Sequence, residues 1–261
     1  MNRDEHAQYL LRLADNALVL SHRLSEWCGH GPVLEEDLAL ANISLDLLGQ
    51  ARLLYQQAAA LEVGDADENR YAYFRDAAGF RNFTALELPN SGVASAGAAD
   101  GDYAFTIVRN TLYSAYAVEL WRQLSASNDA ELAAIAAKSL KEASYHLRHG
   151  ADWLLRFGDG TDESHRRAQH ALDALLPYTN EWFTDDALDT RAAAAGIGVA
   201  GSALREAWLA TMRTLVDEAT LRWPGDSQFR STGRQGLHSE HLGLMLAEMQ
   251  SLARAHPHAS W

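Results

Sequence analysis

Apolar residues recur at three- and four-residue steps through most of this 261-residue chain, and that period restricts the fold more than any other feature. Leu10, Leu13, Ala17, Leu20, Leu24 and Trp27 place a first helix over about 5–27, which Gly29, Gly31 and Pro32 then break. A second helix runs over about 34–61, and Glu35, Glu36 and Asp37 in its first turn offset the helix dipole. A polar loop at 62–70 and a short helix at 70–77 follow, and ELPNSGVASAGAADGD (87–102) is the clearest flexible connection. Third and fourth helices fit 103–126 and 129–157; the few polar residues around SASND that separate them require an antiparallel pair. Three further helices fit about 163–183, 201–222 and 238–254. The loop RWPGDSQFRSTGRQG before the last is long enough to suggest partner contact rather than core, and the glycines of AAGIGVAG read as a loop or helix break. Strand alternation bounded by turns is hardly visible.

Two helical hairpins joined by one long crossover is the plan of a ferritin-like bundle. The expected fold class is all-α: a ferritin-like four-helix bundle with additional C-terminal helices. One domain over 1–261 is expected, with the core bundle at about 5–157 and the extra helices at about 163–254. Apolar residues make up 48%, enough for a sizeable core, in which Trp121, Trp153, Trp182 and Trp208 are expected as anchors.

Charge excludes some functions. Lys plus Arg is 22 against 35 for Asp plus Glu, a formal charge of -13, which repels phosphate backbones and anionic membranes. Neither nucleic acid nor a membrane is expected as a partner. The start, MNRDEHAQYLLRLADNAL, lacks a signal-peptide core, and the longest uncharged run, 192–204, is too short to span a bilayer. Cys28 is the only cysteine, so no internal disulfide forms; a cytoplasmic location is expected. No nucleophile elbow, Walker loop or dinucleotide fingerprint is present.

The polar residues inside the helical patterns carry the functional question. The second helix, DLALANISLDLLGQARLL (37–54), is apolar around most of its circumference, and Asn42, Asp46 and Gly49 interrupt it as one stripe flanked by Leu38, Leu45, Leu48 and Leu53. Burial of that stripe would require a partner for the Asp46 carboxylate, and close packing to offset the helix-weakening Gly49. KEASYHLRHG (141–150) on the fourth helix holds Glu142, Tyr145, His146 and His149. Carboxylate-bridged di-iron bundles place a Glu-x-x-His pair on each of two helices and a single carboxylate on each of the other two. Here Asp46-x-x-Gly49 and Glu142-x-x-Tyr145 stand at those places, with Asp15 and Glu119 as the single carboxylates. Both imidazoles are missing. One reading is a metal-free polar core in which Tyr145 fills the vacated space and bonds Glu142. Another is a shifted metal-dependent oxygenase site built from Asp46, Glu142 and His146, with His22 joining. His238 and His241 are a weak metal pair; His238 or Ser239 also suits a helix cap. A third reading is a binding module, with the histidine-bearing last helix or the 148–156 basic edge, within RHGADWLLRFG (148–158), holding an acyl-CoA phosphate.

LADNALVLSHRLSEWCGHGPVLEEDLALANISLDLLGQAR (13–52), KEASYHLRHGADWLLRFGDGTDES (141–164) and GRQGLHSEHLGLMLAEMQ (233–250) closely resemble the C-subunit family of bacterial phenylacetyl-CoA ring epoxidases. The resemblance runs from the first helix to the last and includes the loops. It implies a multicomponent di-iron monooxygenase of aerobic phenylacetate breakdown that makes a ring 1,2-epoxide with O2 and NADPH. It implies as partners a catalytic A subunit with the iron, a small B subunit, and a reductase with FAD and an iron–sulfur centre. For this chain it implies a diverged structural role with no catalytic residue, no metal and no cofactor of its own, in agreement with Gly49 and Tyr145 at the imidazole positions.

Overall fold

A computed structural model describes residues 1–62, 64, 66–92 and 101–259. In chain order the helices are α1 (Arg3–Ser25), α2 (Leu34–Leu61), α3 (Glu68–Tyr73), α4 (Thr84–Glu87), α5 (Tyr103–Leu124), α6 (Ala130–Gly158), α7 (Asp162–Leu175), α8 (Ala187–Ala194), α9 (Arg205–Glu218) and α10 (Glu240–Ala255). The molecule is all-α. α1 packs on α2 and α5 on α6, α2 meets α6, and a crossover containing α3 and α4 links the two hairpins, which is the ferritin-like plan. α7 and α9 pack on α5 and α6, α8 on α1, and α10 on α3.

Local chemistry sets the helix starts. Asn2 and Glu5 form a reciprocal capping box on α1. Asp102 accepts the Ala104 N–H (2.9 Å) at the start of α5, and Asp129 accepts that of Glu131 (2.9 Å) at the start of α6. The turn between α1 and α2 requires its glycines. Gly29 has φ +81°, and a Cβ on Gly31 would come within 2.8 Å of the Asp37 backbone. The Asp37 carboxylate accepts the N–H groups of both, at 2.7 and 3.2 Å.

Several expectations shift. The helix expected over 163–183 is α7 followed by a tighter 3-10 stretch, Leu176–Glu181, with Pro177 in its first turn. The stretch between the helices expected over 163–183 and 201–222 contains α8, capped by Asp186 on the N–H groups of Leu188 and Asp189, and Gly196 and Gly198 of AAGIGVAG stand in the loop that follows it. The end of the loop before α10 is bound to the body of the protein, while residues 225, 226 and 228–230 are exposed. Gly233 N–H donates to Thr84 (3.1 Å), while Arg234 N–H (2.8 Å) and the Ser231 hydroxyl (2.6 Å) donate to the buried Glu181 carboxylate. That carboxylate needs donors, and the loop supplies them. Residues 93–100 of the expected flexible connection lie outside the described residues. Its first part is fixed: Asn90 is buried and bonds the Arg23 carbonyl (2.6 Å). Trp121, Trp182 and Trp208 are core, and Trp153 is partly buried. Among the described residues no helix is long and apolar enough to cross a membrane.

Candidate functional site

The residues picked out by the di-iron spacing go to separate places. Asp15 of α1 is fully buried, and its carboxylate is already saturated. Tyr55 Oη donates to it at 2.6 Å, the Arg81 N–H at 2.8 Å, and the Arg75 guanidinium through both terminal nitrogens. Burial opposes the Arg75 charge, but the adjacent Asp15 carboxylate and Tyr55 outweigh it and raise the Arg75 pKa. Burial, then the Asp15 charge, push the Tyr55 phenol well above its usual range. The group is a closed ion pair with a neutral phenol. Its four donors occupy the oxygen lone pairs that a metal would need.

Asp46 and Glu142 lie on a seam between α2 and α6, not in the bundle interior. His146 Nε2 meets Asp46 Oδ2 at 3.0 Å; the ring is buried, but the Asp46 side chain is 39% exposed. Burial lowers the His146 pKa and prevails over the raising effect of Asp46, because an exposed carboxylate is screened by water. Glu142 accepts from Gln50 Nε2 (2.9 Å) and pairs with Lys138 (3.2 Å). Further along, Tyr103 Oη (2.5 Å) and His149 Nε2 (2.8 Å) both meet Glu36 Oε2. Burial raises the Glu36 pKa, but the Tyr103 and His149 hydrogen bonds bring it below the usual carboxylate value. These pairs form a polar row that fastens α2 to α6.

The other candidates correct the expectation of a buried stripe. Tyr145 neither fills a vacated ligand site nor bonds Glu142; it is exposed, with the Arg148 guanidinium 5.5 Å over its ring. Gly49 has no tight neighbour, since a Cβ there would meet nothing within 4 Å. Leu38, Leu45 and Leu48, expected to bury Asp46, are exposed. The apolar circumference of α2 thus covers two faces, and the Asp46 stripe borders the outer one. Glu119 pairs with Arg122, three residues on, away from the other candidates. His22 is half-buried, and burial followed by the Arg23 charge lower its pKa. Among the described residues no hydrogen bond or ion pair joins it to Glu142 or His146, and no three His, Cys, Asp or Glu side chains converge on one point where a metal ion would sit. The donor set therefore does not fit an iron pair. On the 148–158 edge Arg148 and Arg156 are exposed, with their guanidinium groups 5.5 and 5.0 Å over the Tyr145 and Trp153 rings.

The densest polar chemistry is one the helix spacing did not show. Glu87, fully buried in α4, accepts from Asn82 Nδ2 (2.8 Å), His238 Nδ1 (2.7 Å) and the Ser239 N–H (2.6 Å). His238 Nε2 faces the Phe80 carbonyl at 3.0 Å. Both ring nitrogens face acceptors, so the ring donates twice and is an imidazolium. Burial works against that charge, but the Glu87 carboxylate and the Phe80 carbonyl raise the His238 pKa. The sequence signals for this pair are His238 itself and an acidic residue within the apolar run FTALEL, with nothing in their spacing to join them. His238 is an ion-pair partner of the interior rather than a cap or a metal ligand.

The whole chain, residues 1–261, matches the family described as phenylacetic acid catabolic protein. It is 48% identical over 253 residues to the C subunit of the 1,2-phenylacetyl-CoA epoxidase of Escherichia coli (strain K12), covering 97% of this chain and 98% of that one. A match of that extent, spanning both hairpins and every helix that follows, makes this chain a member of the phenylacetic acid catabolic protein family.

Proposed function

We propose that this chain is the C subunit of a 1,2-phenylacetyl-CoA epoxidase, and that within the complex it is a structural partner rather than the place where oxygen reacts. The relative's name and the 97% coverage support the first part. The saturation of Asp15 by Arg75, Tyr55 and the Arg81 N–H carries the second. A carboxylate already neutralised by a guanidinium gains nothing by adding a divalent cation, and the other candidate carboxylates, Asp46, Glu119 and Glu142, are engaged elsewhere.

On this reading the iron belongs to a catalytic A subunit. A small B subunit and a reductase using FAD, an iron–sulfur centre and NADPH complete the complex, which works in the cytoplasm. The exposed lone Cys28 suits that reducing compartment. The chain contributes mass action: a partner that binds only the folded catalytic subunit raises that subunit's stability. The first test is iron content after anaerobic Fe(II) loading and desalting of this chain alone. Near-zero iron is expected; about two irons per chain would overturn the structural reading. A catalytic subunit that was as soluble and active alone as in the complex would equally remove the proposed role.

A further inference from the structure

A cleft of about 290 Å³ opens beside α9, and it shares no residue with the Asp15 group or with the seam between α2 and α6. Its walls are the 3-10 stretch after α7, one face of α9, and the loop that follows α9. Phe183, Trp208 and Trp223 line it. The Phe183 and Trp208 ring centroids are 5.0 Å apart at 52°, and those of Trp208 and Trp223 are 6.4 Å apart at 69°. Rings inclined in this way offer both faces and edges to a further ring.

Two arginines share the cleft with these rings. Arg205, Leu209 and Arg213 follow one another at four-residue steps on α9 and so lie on one face of it. Both arginines are exposed, and among the described residues neither has a carboxylate within ion-pair distance, whereas nearby Arg222 pairs with Asp173. The Arg213 guanidinium lies 5.1 Å over the Trp223 ring instead. A guanidinium stacked on a ring keeps its N–H groups in its own plane, free to grip a carboxylate through two parallel bonds. Asp226 is the only acidic side chain of the lining, so two arginines against one aspartate leave the cleft with a net charge of +1 in a chain of formal charge -13. The walls are also fixed in advance. Asn180 Nδ2 donates to the Ser227 and Phe229 carbonyls, both at 2.9 Å, and Gln169 binds the Arg222 N–H (2.8 Å) and carbonyl (3.0 Å). Thr220, where the chain leaves α9, has φ +55° and is the only non-glycine residue with positive φ among the described residues. A β-branched side chain disfavours that conformation, and backbone held so concentrates at functional sites. The turn brings Trp223 back beside Trp208.

We propose that this cleft binds a small aromatic carboxylate, with its ring against Phe183, Trp208 and Trp223 and its carboxylate on Arg213 and Arg205. Size sets one bound on the ligand. Small-molecule sites span roughly 300–1,000 Å³, so a cleft of about 290 Å³ admits one ring with a short arm and not an acyl-CoA. Charge sets the other. A neutral ring leaves both guanidinium groups unanswered, a cationic ring is repelled by them, and an inorganic anion makes no use of the rings. The acidic chain as a whole repels anions, so binding depends on these two arginines and weakens as salt screens them. The inference goes beyond the epoxidase reading and does not rest on it.

NMR of the nitrogen-15-labelled full chain, titrated with benzoate and with phenylacetate, tests it. The Trp223 indole N–H signal, assigned by its loss in Trp223→Phe, is expected to move and to saturate with a Kd of about 1 mM or tighter for at least one of the two acids. The matching amide, benzamide or phenylacetamide, keeps the ring without the charge and should bind at least about tenfold more weakly. The cyclohexyl analogue of the same acid keeps the charge without the aromatic ring and should bind about threefold more weakly. The double variant Arg205→Gln/Arg213→Gln should lose at least about tenfold in affinity for the acid. Its circular dichroism should be unchanged, since both side chains are solvent-exposed. No saturation at ten times the expected Kd overturns the proposal, as does saturation that leaves the Trp223 signal in place. So does an amide or a cyclohexyl acid that binds as tightly as the aromatic acid, or a folded double variant that keeps the wild-type affinity.

Discussion

Two histidine–carboxylate pairs of nearly equal length behave in opposite ways. Asp46–His146 joins α2 to α6 at 3.0 Å, and Glu87–His238 joins α4 to the start of α10 at 2.7 Å. Both rings are buried. The carboxylates differ: Asp46 is 39% exposed, whereas Glu87 has no solvent contact. In the first pair water screens the carboxylate, burial of the ring prevails and the pKa falls. In the second, Glu87 acts at close range in a dry setting, the Phe80 carbonyl adds a second acceptor, and the pKa rises despite burial. The residue pair does not set the charge state. The number and burial of the acceptors around the imidazole do.

The contrast depends most heavily on Glu87. Glu87→Ala leaves an imidazolium, the Asn82 amide and the Ser239 N–H without their acceptor in a dry interior, and removing one member of a buried pair costs about 3–5 kcal/mol. Urea unfolding of the variant should show that loss. A loss of under about 1 kcal/mol would mean that water reaches the site, and the contrast with Asp46 would collapse.

The pH dependences come next, and their signs are opposite. The His238 pKa is raised above its unfolded value near 6.5, so its stabilisation is fully present below that pH and is lost as pH rises through the folded pKa. Glu181 and Glu87 act on the ring from the core side, and the Arg23 guanidinium, bound to the Glu87 and His241 carbonyls, is the nearby cation. His146 is shifted down, so its neutral form is favoured in the folded state. Its contribution is present above about 6.5 and is lost as pH falls through the folded pKa. Unfolding free energies from about pH 5 to 8.5 should therefore lose their alkaline-side decline in His238→Gln and their acid-side decline in His146→Gln. Equal changes in both variants on the same side would sink the account.

The helical periodicity made the bundle legible because α1, α2, α5 and α6 are long and their buried positions repeat. It also misled where one helix has two apolar faces. Leu38, Leu45 and Leu48 follow the same steps whether they face a core or solvent, so Asp46 was placed inside when it lies at the edge. Asp15 is buried, but its partners Arg75 and Arg81 come from the crossover, 60 and 66 residues away, where no spacing rule operates. Glu87 and His238 stand 151 residues apart and meet only because α10 returns to the crossover. The helix spacing showed which residues share a helix face. It did not show which side chains satisfy one another across the fold.

The mildest substitution approaches the same contrast from the wet side. Asp46→Asn removes the charge and keeps an oxygen that accepts from His146 Nε2. A neutral imidazole has one N–H to donate, and the amide oxygen receives it as the carboxylate did. Because Asp46 is partly in water, its Coulombic contribution is that of a surface pair, about 0–1 kcal/mol. The expected loss is within about 0.5 kcal/mol near neutral pH. The variant should also lower the His146 pKa further, since a raising influence is gone, and NMR titration of the ring reads that shift directly. A loss comparable to that of Glu87→Ala would show that Asp46 is closed off from water when the chain is assembled. The exposed leucines on either side of Asp46 would then be its cover, and the same variant measured under conditions that keep the chain monomeric should regain the small value.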